Sequence, residues 1–186
     1  MEIFVERAPL GAFSEAPIVV AVDVQVQPLA RDSTYDAAIA RGALVVRKAR
    51  ELGWPVLLLK MNALGRDNPV MPQLLQEVEQ PTRYSGLREV DKTRMGGGQE
   101  VIDACPTLAK KKFIIFGFWA WACVIATVRE LVSRLPDVEI IVVLDACNEE
   151  VAACWRDYEE IPNVRLLYHT DILRAHQTGG LSPLVE

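Results

Sequence analysis

Residues 112–145 read KFIIFGFWAWACVIATVRELVSRLPDVEIIVVLD, and the fold follows from how this stretch is divided. "FIIFG" and "VEIIVVLD" are short apolar runs rich in β-branched and aromatic residues, with no polar alternation, which is the pattern of strands covered on both faces. The segment between them, from about Trp121 to Arg134, reads as a helix. Strand, helix and strand in that order make a βαβ unit, whose two strands must run parallel.

The alternation extends outward in both directions. "PIVVAVD" is another buried strand. After Asp36, the residues Ile39, Ala43, Val46 and Ala49 fall at helical spacing up to Gly53, and "WPVLLLK" follows as a strand. "GLREVDK" is a weaker strand, followed by a short helix around Glu100 to Ala104. Beyond Asp145, a helix across "EEVAACWRDYEE" and the strand "VRLLYH" complete the pattern. These readings predict an α/β fold: a single-domain three-layer α/β/α arrangement spanning residues 1–186, with a mostly parallel, about six-stranded Rossmann-like sheet. Two connections break the terse rhythm. One runs from Met61 to Gly86 and holds three prolines; the other is "MGGGQ", Met95 to Gln99. Long loops in such folds are usually functional or mobile.

Composition narrows the function classes. A chain of 186 residues with 51% hydrophobic content suits one well-covered core. Twenty basic against 25 acidic residues give a formal charge of -5 without a basic block, so nucleic acid is not an expected partner. No apolar run approaches the roughly 20 residues that span a bilayer, and Glu2 and Glu6 stand where a signal peptide would be basic. The expectation is a cytoplasmic protein with no membrane partner. Cys105, Cys123, Cys147 and Cys154 form no CxxC pair and are expected as free thiols.

In a doubly wound sheet, chemistry gathers outside the carboxyl ends of the strands where strand order reverses. Asp23, Lys92 and Cys123 each follow a strand end. Singly, each has an ordinary explanation: a capping aspartate, a solvated lysine, a packed cysteine. Together they are the three types that cysteine-based acyl transfer requires. A thiol with a pKa of about 8.5 needs a base, a cation or a helix N-terminus to act near neutral pH. Asp23 can take the proton and return it to a leaving amine, and Lys92 can stabilise charge in a desolvated site. With a helix N-terminus beside Lys92, the Cys123 thiol is expected below its ordinary value.

The ordered motifs "VVAVDVQ", "DKTR", "GFWAWACVIAT" and "VVLDA" resemble the isochorismatase-like cysteine hydrolase superfamily, which includes nicotinamidases, N-carbamoylsarcosine amidases, ureidoacrylate amidohydrolases and isochorismatases. The resemblance covers about Ile18 to Cys147. It implies Asp23 as base, Lys92 as third triad member and Cys123 as nucleophile. It also implies an oxyanion hole from the backbone N–H groups of Trp119 and Cys123, with a cis peptide between Phe118 and Trp119. The activity implied is cleavage of a C–N bond in a small amide, carbamoyl or ureido substrate through a thioester. The alternatives are vinyl-ether hydrolysis without covalent catalysis, or a non-catalytic ligand-binding module. Against the last, no GxGxxG follows the first strand and "MGGG" lacks the lysine and serine of a P-loop.

Departures from the family pattern locate the open questions. Ala120 and Trp121 stand where Thr-Asp is common, so substrate choice is affected. "MGGG" replaces a small-aromatic element after the lysine, which predicts a pocket that is more open or closed by a mobile loop. Only His169 and His176 are present, both late in the chain, so neither a metal site nor a cofactor is expected. Gln25, Phe118, Trp119 and Trp121 are the candidate substrate-binding residues. Cys105 and Cys154 are expected to pack, as are Trp155 and Tyr158, while Cys147 lies close to the active edge. The family habit predicts a homo-oligomer, a dimer or larger.

Overall fold

The computed structural model describes residues 16–26, 33–62, 68–79, 83–105, 112–148 and 154–175. All six expected strands form: β1 (Ile18–Val22), β2 (Val56–Met61), β3 (Leu87–Lys92), β4 (Lys112–Gly117), β5 (Glu139–Cys147) and β6 (Val164–Leu167). They pair in parallel in the order β3-β2-β1-β4-β5-β6. Every residue of β1 is buried, as an apolar run without alternation requires of a strand covered on both faces.

The helices are α1 (Ser33–Glu51), α2 (Pro72–Glu79), α3 (Gly98–Ala104), α4 (Ile125–Arg134), α5 (Cys154–Glu159) and α6 (His169–Leu173). From β1 the chain steps to β2 in one direction, and from β4 to β5 in the other. Right-handed crossovers therefore place α1 and α4 on opposite faces. α1 packs with α2 and α6, and α3 packs with α4. The strand order reverses between β1 and β4, the two strands that carry the chain into Asp23 and toward Cys123.

Three local features differ from the periodicity reading. The helix expected from Trp121 begins instead as a π-helical turn, Ala120–Val124, which passes into α4. Within that turn the N–H groups of Ala122 and Val124 both donate to the Trp119 carbonyl, at 3.0 and 3.2 Å. The wider turn holds one residue more than an α-turn, which hydropathy cannot reveal. Second, the long connection after β2 contains α2, opened by Pro72 at the position where a missing N–H costs nothing, with Leu74 and Val78 buried one turn apart. Third, α6 was not anticipated. Of the helix read across "EEVAACWRDYEE", residues 149–153 lie outside the described residues and Cys154–Glu159 is helical.

The end of β5 carries a register shift: Ile115 pairs with Val142, but Gly117 pairs with Cys147. The extra residues in β5 re-aim its last turn, as bulges beside functional edges commonly do. Asn148 N–H then donates to Gly117 O, and Ala120 N–H to Asn148 O, each at 3.2 Å. Gly117 itself has φ +139, and a Cβ there would lie 2.0 Å from the Val22 carbonyl oxygen. Only glycine permits β4 to close this tightly on β1. Phe118 N–H donates to that same oxygen at 2.9 Å, so the turn after β4 starts beside the end of β1.

Candidate active site at the point where strand order reverses

Asp23, Lys92 and Cys123 converge at this edge. Asp23 leaves β1 with φ +53, a left-handed conformation that aspartate tolerates better than most residues. Its N–H donates to Leu59 O on β2 at 2.8 Å. Lys92 ends β3, two strands away, a separation of about 10 Å that a lysine stem and a carboxylate together can bridge. The Lys92 Nζ lies 2.8 Å from Asp23 Oδ2, with side-chain exposures of 0% and 5%. The approach is off the favoured hydrogen-bond angle, so the attraction is chiefly charge on charge. The ammonium is also fixed by the carbonyls of Arg94 and Met95, to which it donates at 3.1 and 2.7 Å.

Burial sets the ionisation of the site. Desolvation raises the Asp23 carboxyl above its ordinary range, opposed by Lys92, by the Cys123 thiol and by the Met61 backbone. The Cys123 thiol is pushed up to about 12, first by burial and then by the charge and contact of Asp23; Lys92 and the Trp119 backbone N–H pull the other way. This corrects the expectation of a lowered thiol. The ammonium and the Trp119 N–H are present, but burial first and then the Asp23 carboxylate beside the sulfur outweigh them. The arrangement sets the Cys123 thiol against the side chain that can take its proton.

The peptide between Phe118 and Trp119 is cis. Trp119 N–H faces the Cys123 sulfur, and Ala120 O accepts a hydrogen bond from the Tyr158 hydroxyl at 2.5 Å. Tyr158 and Trp155 are buried with ring centroids 5.3 Å apart. They are core residues, and Tyr158 additionally holds the segment before Cys123.

The remaining candidates divide into two groups. Trp119 is half-buried and Trp121 is 47% exposed, their ring centroids 6.4 Å apart. Phe118 and Gln25 are both buried. Phe118 is fully buried and stacks on Tyr35 at 4.2 Å. The Gln25 amide donates to the carbonyls of Met61 and Asn68, at 3.3 and 2.6 Å, and accepts from Met61 N–H at 2.7 Å. It ties the end of β1 to the end of β2 and spends its hydrogen-bonding capacity on backbone. Asn148 was missed by the sequence reading. It is buried, and its Oδ1 has no hydrogen-bond partner among the described residues. An asparagine after a strand carries no signal that separates this from a turn.

The glycine loop also departs from expectation. Gly96, Gly97 and Gly98 are buried and docked on α4: Gly97 N–H donates to Thr127 Oγ1 at 3.1 Å, and Gly98 N–H to Glu130 Oε2 at 2.9 Å. A Cβ on Gly97 would come within 2.3 Å of Leu59 Cδ2 and 2.9 Å of Lys92 Cδ. The glycines here serve close packing against the lysine. Cys147 and Cys154 are buried and Cys105 half-buried, none of them in a disulfide. His169 Nδ1 lies 2.6 Å from Asp145 Oδ2, away from the three converging residues in sequence and in strand position. His176 lies outside the described residues. Among the described residues no group of three His, Cys, Asp or Glu side chains could hold a metal ion, and no helix is long and apolar enough to cross a membrane.

Comparison with known proteins agrees with this fold. Residues 17–156 match the family model described as the isochorismatase domain. Among solved structures, the chain is similar to the N-carbamoylsarcosine amidase of Thermoplasma acidophilum, at 17% identity and TM-score 0.65, covering 83% of this chain and 97% of that one. It is similar to a putative isochorismatase-family hydrolase of Chromobacterium violaceum, at 17% identity and TM-score 0.69, covering 90% and 97%. It is also similar to the MAR1 ribonuclease of Caenorhabditis elegans, at 16% identity and TM-score 0.68, covering 92% and 96%. At these identities the likeness is one of fold. A search of curated proteins gives no match.

Proposed function

The chain belongs to the isochorismatase family, and from that premise we propose that it is a cysteine hydrolase acting on the C–N bond of a small amide, carbamoyl or ureido compound. The single observation that carries this reading is the buried Lys92–Asp23 pair at 2.8 Å with the Cys123 thiol against the same carboxylate. Such an array has no use in packing, because burying a charge pair seldom stabilises a fold more than apolar residues of similar size.

In the proposed reaction Asp23 takes the thiol proton as the sulfur attacks the carbonyl carbon. The C=O electrons move onto oxygen, which the N–H groups of Trp119 and Cys123 receive. As the tetrahedral adduct collapses, the C–N bond breaks and Asp23 delivers its proton to the departing nitrogen, leaving an acyl or carbamoyl thioester on Cys123. Water, deprotonated by Asp23, then attacks the thioester carbon; the C–S bond breaks, the acid departs and Asp23 returns the proton to the Cys123 sulfur. Lys92 keeps the carboxylate in place and offsets its charge while the thiolate forms. The raised thiol fits this scheme, since proton transfer and attack then occur together and no standing thiolate is required. Trp119 and Trp121 border the substrate, and the protein works as a homo-oligomer without a metal.

Vinyl-ether hydrolysis needs an acid and no nucleophile, so it makes no demand for a thiol beside the carboxylate. The neighbour named as an N-carbamoylsarcosine amidase lends its substrate class to the proposal. The test is ammonia release from a panel of primary amides, carbamoyl compounds and ureido acids. One class should turn over in the wild type and fail in Cys123→Ser, with the acyl-enzyme mass trapped on Cys123 at low temperature. Cleavage of isochorismate alone, unaffected by Cys123→Ser, would refute the covalent reading.

A further inference from the structure

Thr127 sits one helical turn after Cys123 and is fully buried. Its hydroxyl donates to the Cys123 carbonyl at 2.8 Å, an ordinary bond for a helical threonine. The second bond is not ordinary: the same oxygen accepts Gly97 N–H, from the loop after β3, at 3.1 Å. One turn further along α4, Glu130 accepts Gly98 N–H at 2.9 Å and lies 3.5 Å from the Arg94 guanidinium. The loop clamped this way supplies the two carbonyls, Arg94 and Met95, that receive the Lys92 ammonium. An ammonium has three N–H donors. Two are committed to the loop, which holds the ammonium 2.8 Å from Asp23 Oδ2. Gly97 also lies against the Lys92 stem, leaving no room for a Cβ.

We infer that Thr127 is a positioning residue that holds the Lys92 ammonium in register with Cys123, acting through the Gly96–Gly98 loop, with Glu130 as a second clamp on the same loop. The inference rests on the proposed roles of Lys92 and Cys123 but not on any substrate. The charged groups around the ammonium are Asp23 at the end of β1 and, behind the loop, Arg94 with Glu100 and Glu130 at 3.5 Å each. If the loop shifts, the ammonium shifts relative to the sulfur, and the thiol loses the cation that favours its ionised form.

The test is the rate of Cys123 alkylation by iodoacetamide in the whole protein, followed by peptide mass mapping, with Cys105 as internal reference. Thr127→Val keeps the shape and removes the hydroxyl. It should slow Cys123 labelling at pH 8 by about threefold or more, because less of the thiol is ionised, and leave Cys105 unchanged. Thr127→Ser should restore the wild-type rate. In a Lys92→Ala background, Thr127→Val should have no further effect, which a merely structural role would not produce. Glu130→Ala, at a partly exposed position, should move labelling in the same direction by less, and carries the test if Thr127→Val does not fold. Equal rates in wild type and the clamp variants would overturn the inference. So would a Thr127→Val effect that persists without Lys92, a Thr127→Ser as slow as Thr127→Val, or a wild-type Cys123 that never labels while Cys105 does. Failure of every amide in the panel with these rates unchanged would count against the proposed reaction and leave the clamp standing.

Discussion

Replacing Lys92 by methionine isolates the electrostatics of the site. Methionine fills a similar volume, so packing changes little, but the buried Asp23 carboxylate loses the cation 2.8 Å away. Breaking a buried pair by removing one partner costs about 3–5 kcal/mol where the remaining charge has no other compensation. Asp23 can escape part of that by holding its proton. Its ordinary value is 3.8, and it is already raised in the folded protein with Lys92 present. A carboxyl raised by folding binds more protons in the native than in the unfolded state, so stability falls as pH rises through the interval between the two values. Removing the ammonium lifts the folded value further, and each added unit costs about 1.4 kcal/mol at pH above it. The extra loss is therefore present at pH 8 and absent at pH 3, below the unfolded value. The stranded carbonyls of Arg94 and Met95 add a separate loss of about 1–3 kcal/mol that does not vary with pH. Urea unfolding of wild type and Lys92→Met across this pH range therefore should show a difference that widens with pH. Adding Asp23→Asn should remove the widening and keep the constant part. A difference that stays flat from pH 3 to pH 8 would refute the buried-charge account of this site.

The thiol offers an independent check: Asp23→Asn should speed Cys123 alkylation at pH 8 by about threefold or more, since the carboxylate is what raises the sulfur after burial, while hydrolysis is lost. In the wild type, labelling of Cys123 should climb with pH up to at least pH 10 without a plateau, as a thiol pushed up to about 12 requires; a plateau below pH 9 would contradict the assignment. Gly117→Ala, with its Cβ 2.0 Å from the Val22 oxygen at φ +139, should lower stability by about 2 kcal/mol or more, and an unchanged thermal midpoint would show that β4 does not need this approach. Exhaustive chelation should leave turnover intact, and recovery of lost activity by zinc or manganese would reverse that expectation.

The order of strands and helices was legible because strands covered on both faces must be continuous apolar runs. "IVVAV", "VLLLKM" and "KFIIFG" are such runs, and most of their residues are buried. The meeting of Asp23, Lys92 and Cys123 was legible for a related reason: in a parallel sheet, residues just past strand ends share one edge, whatever their separation along the chain. What the sequence could not contain was the balance of forces at that edge. A lowered thiol was the natural reading of Cys123 beside a helix start and a lysine, and a raised one results from burial together with the distance to Asp23. Both are properties of the packed molecule. The same holds for "MGGG". A run of glycines along the chain reads as freedom, yet Gly97 and Gly98 donate to Thr127 and Glu130, about 30 residues away, and serve close contact with Lys92. The partners of Gln25 and Phe118 likewise come from other elements, Met61 and Asn68 for one and Tyr35 for the other. Periodicity is a local record of which face is buried. Charge, orientation and loop docking depend on distances between residues far apart in sequence, and those distances exist only once the sheet has closed.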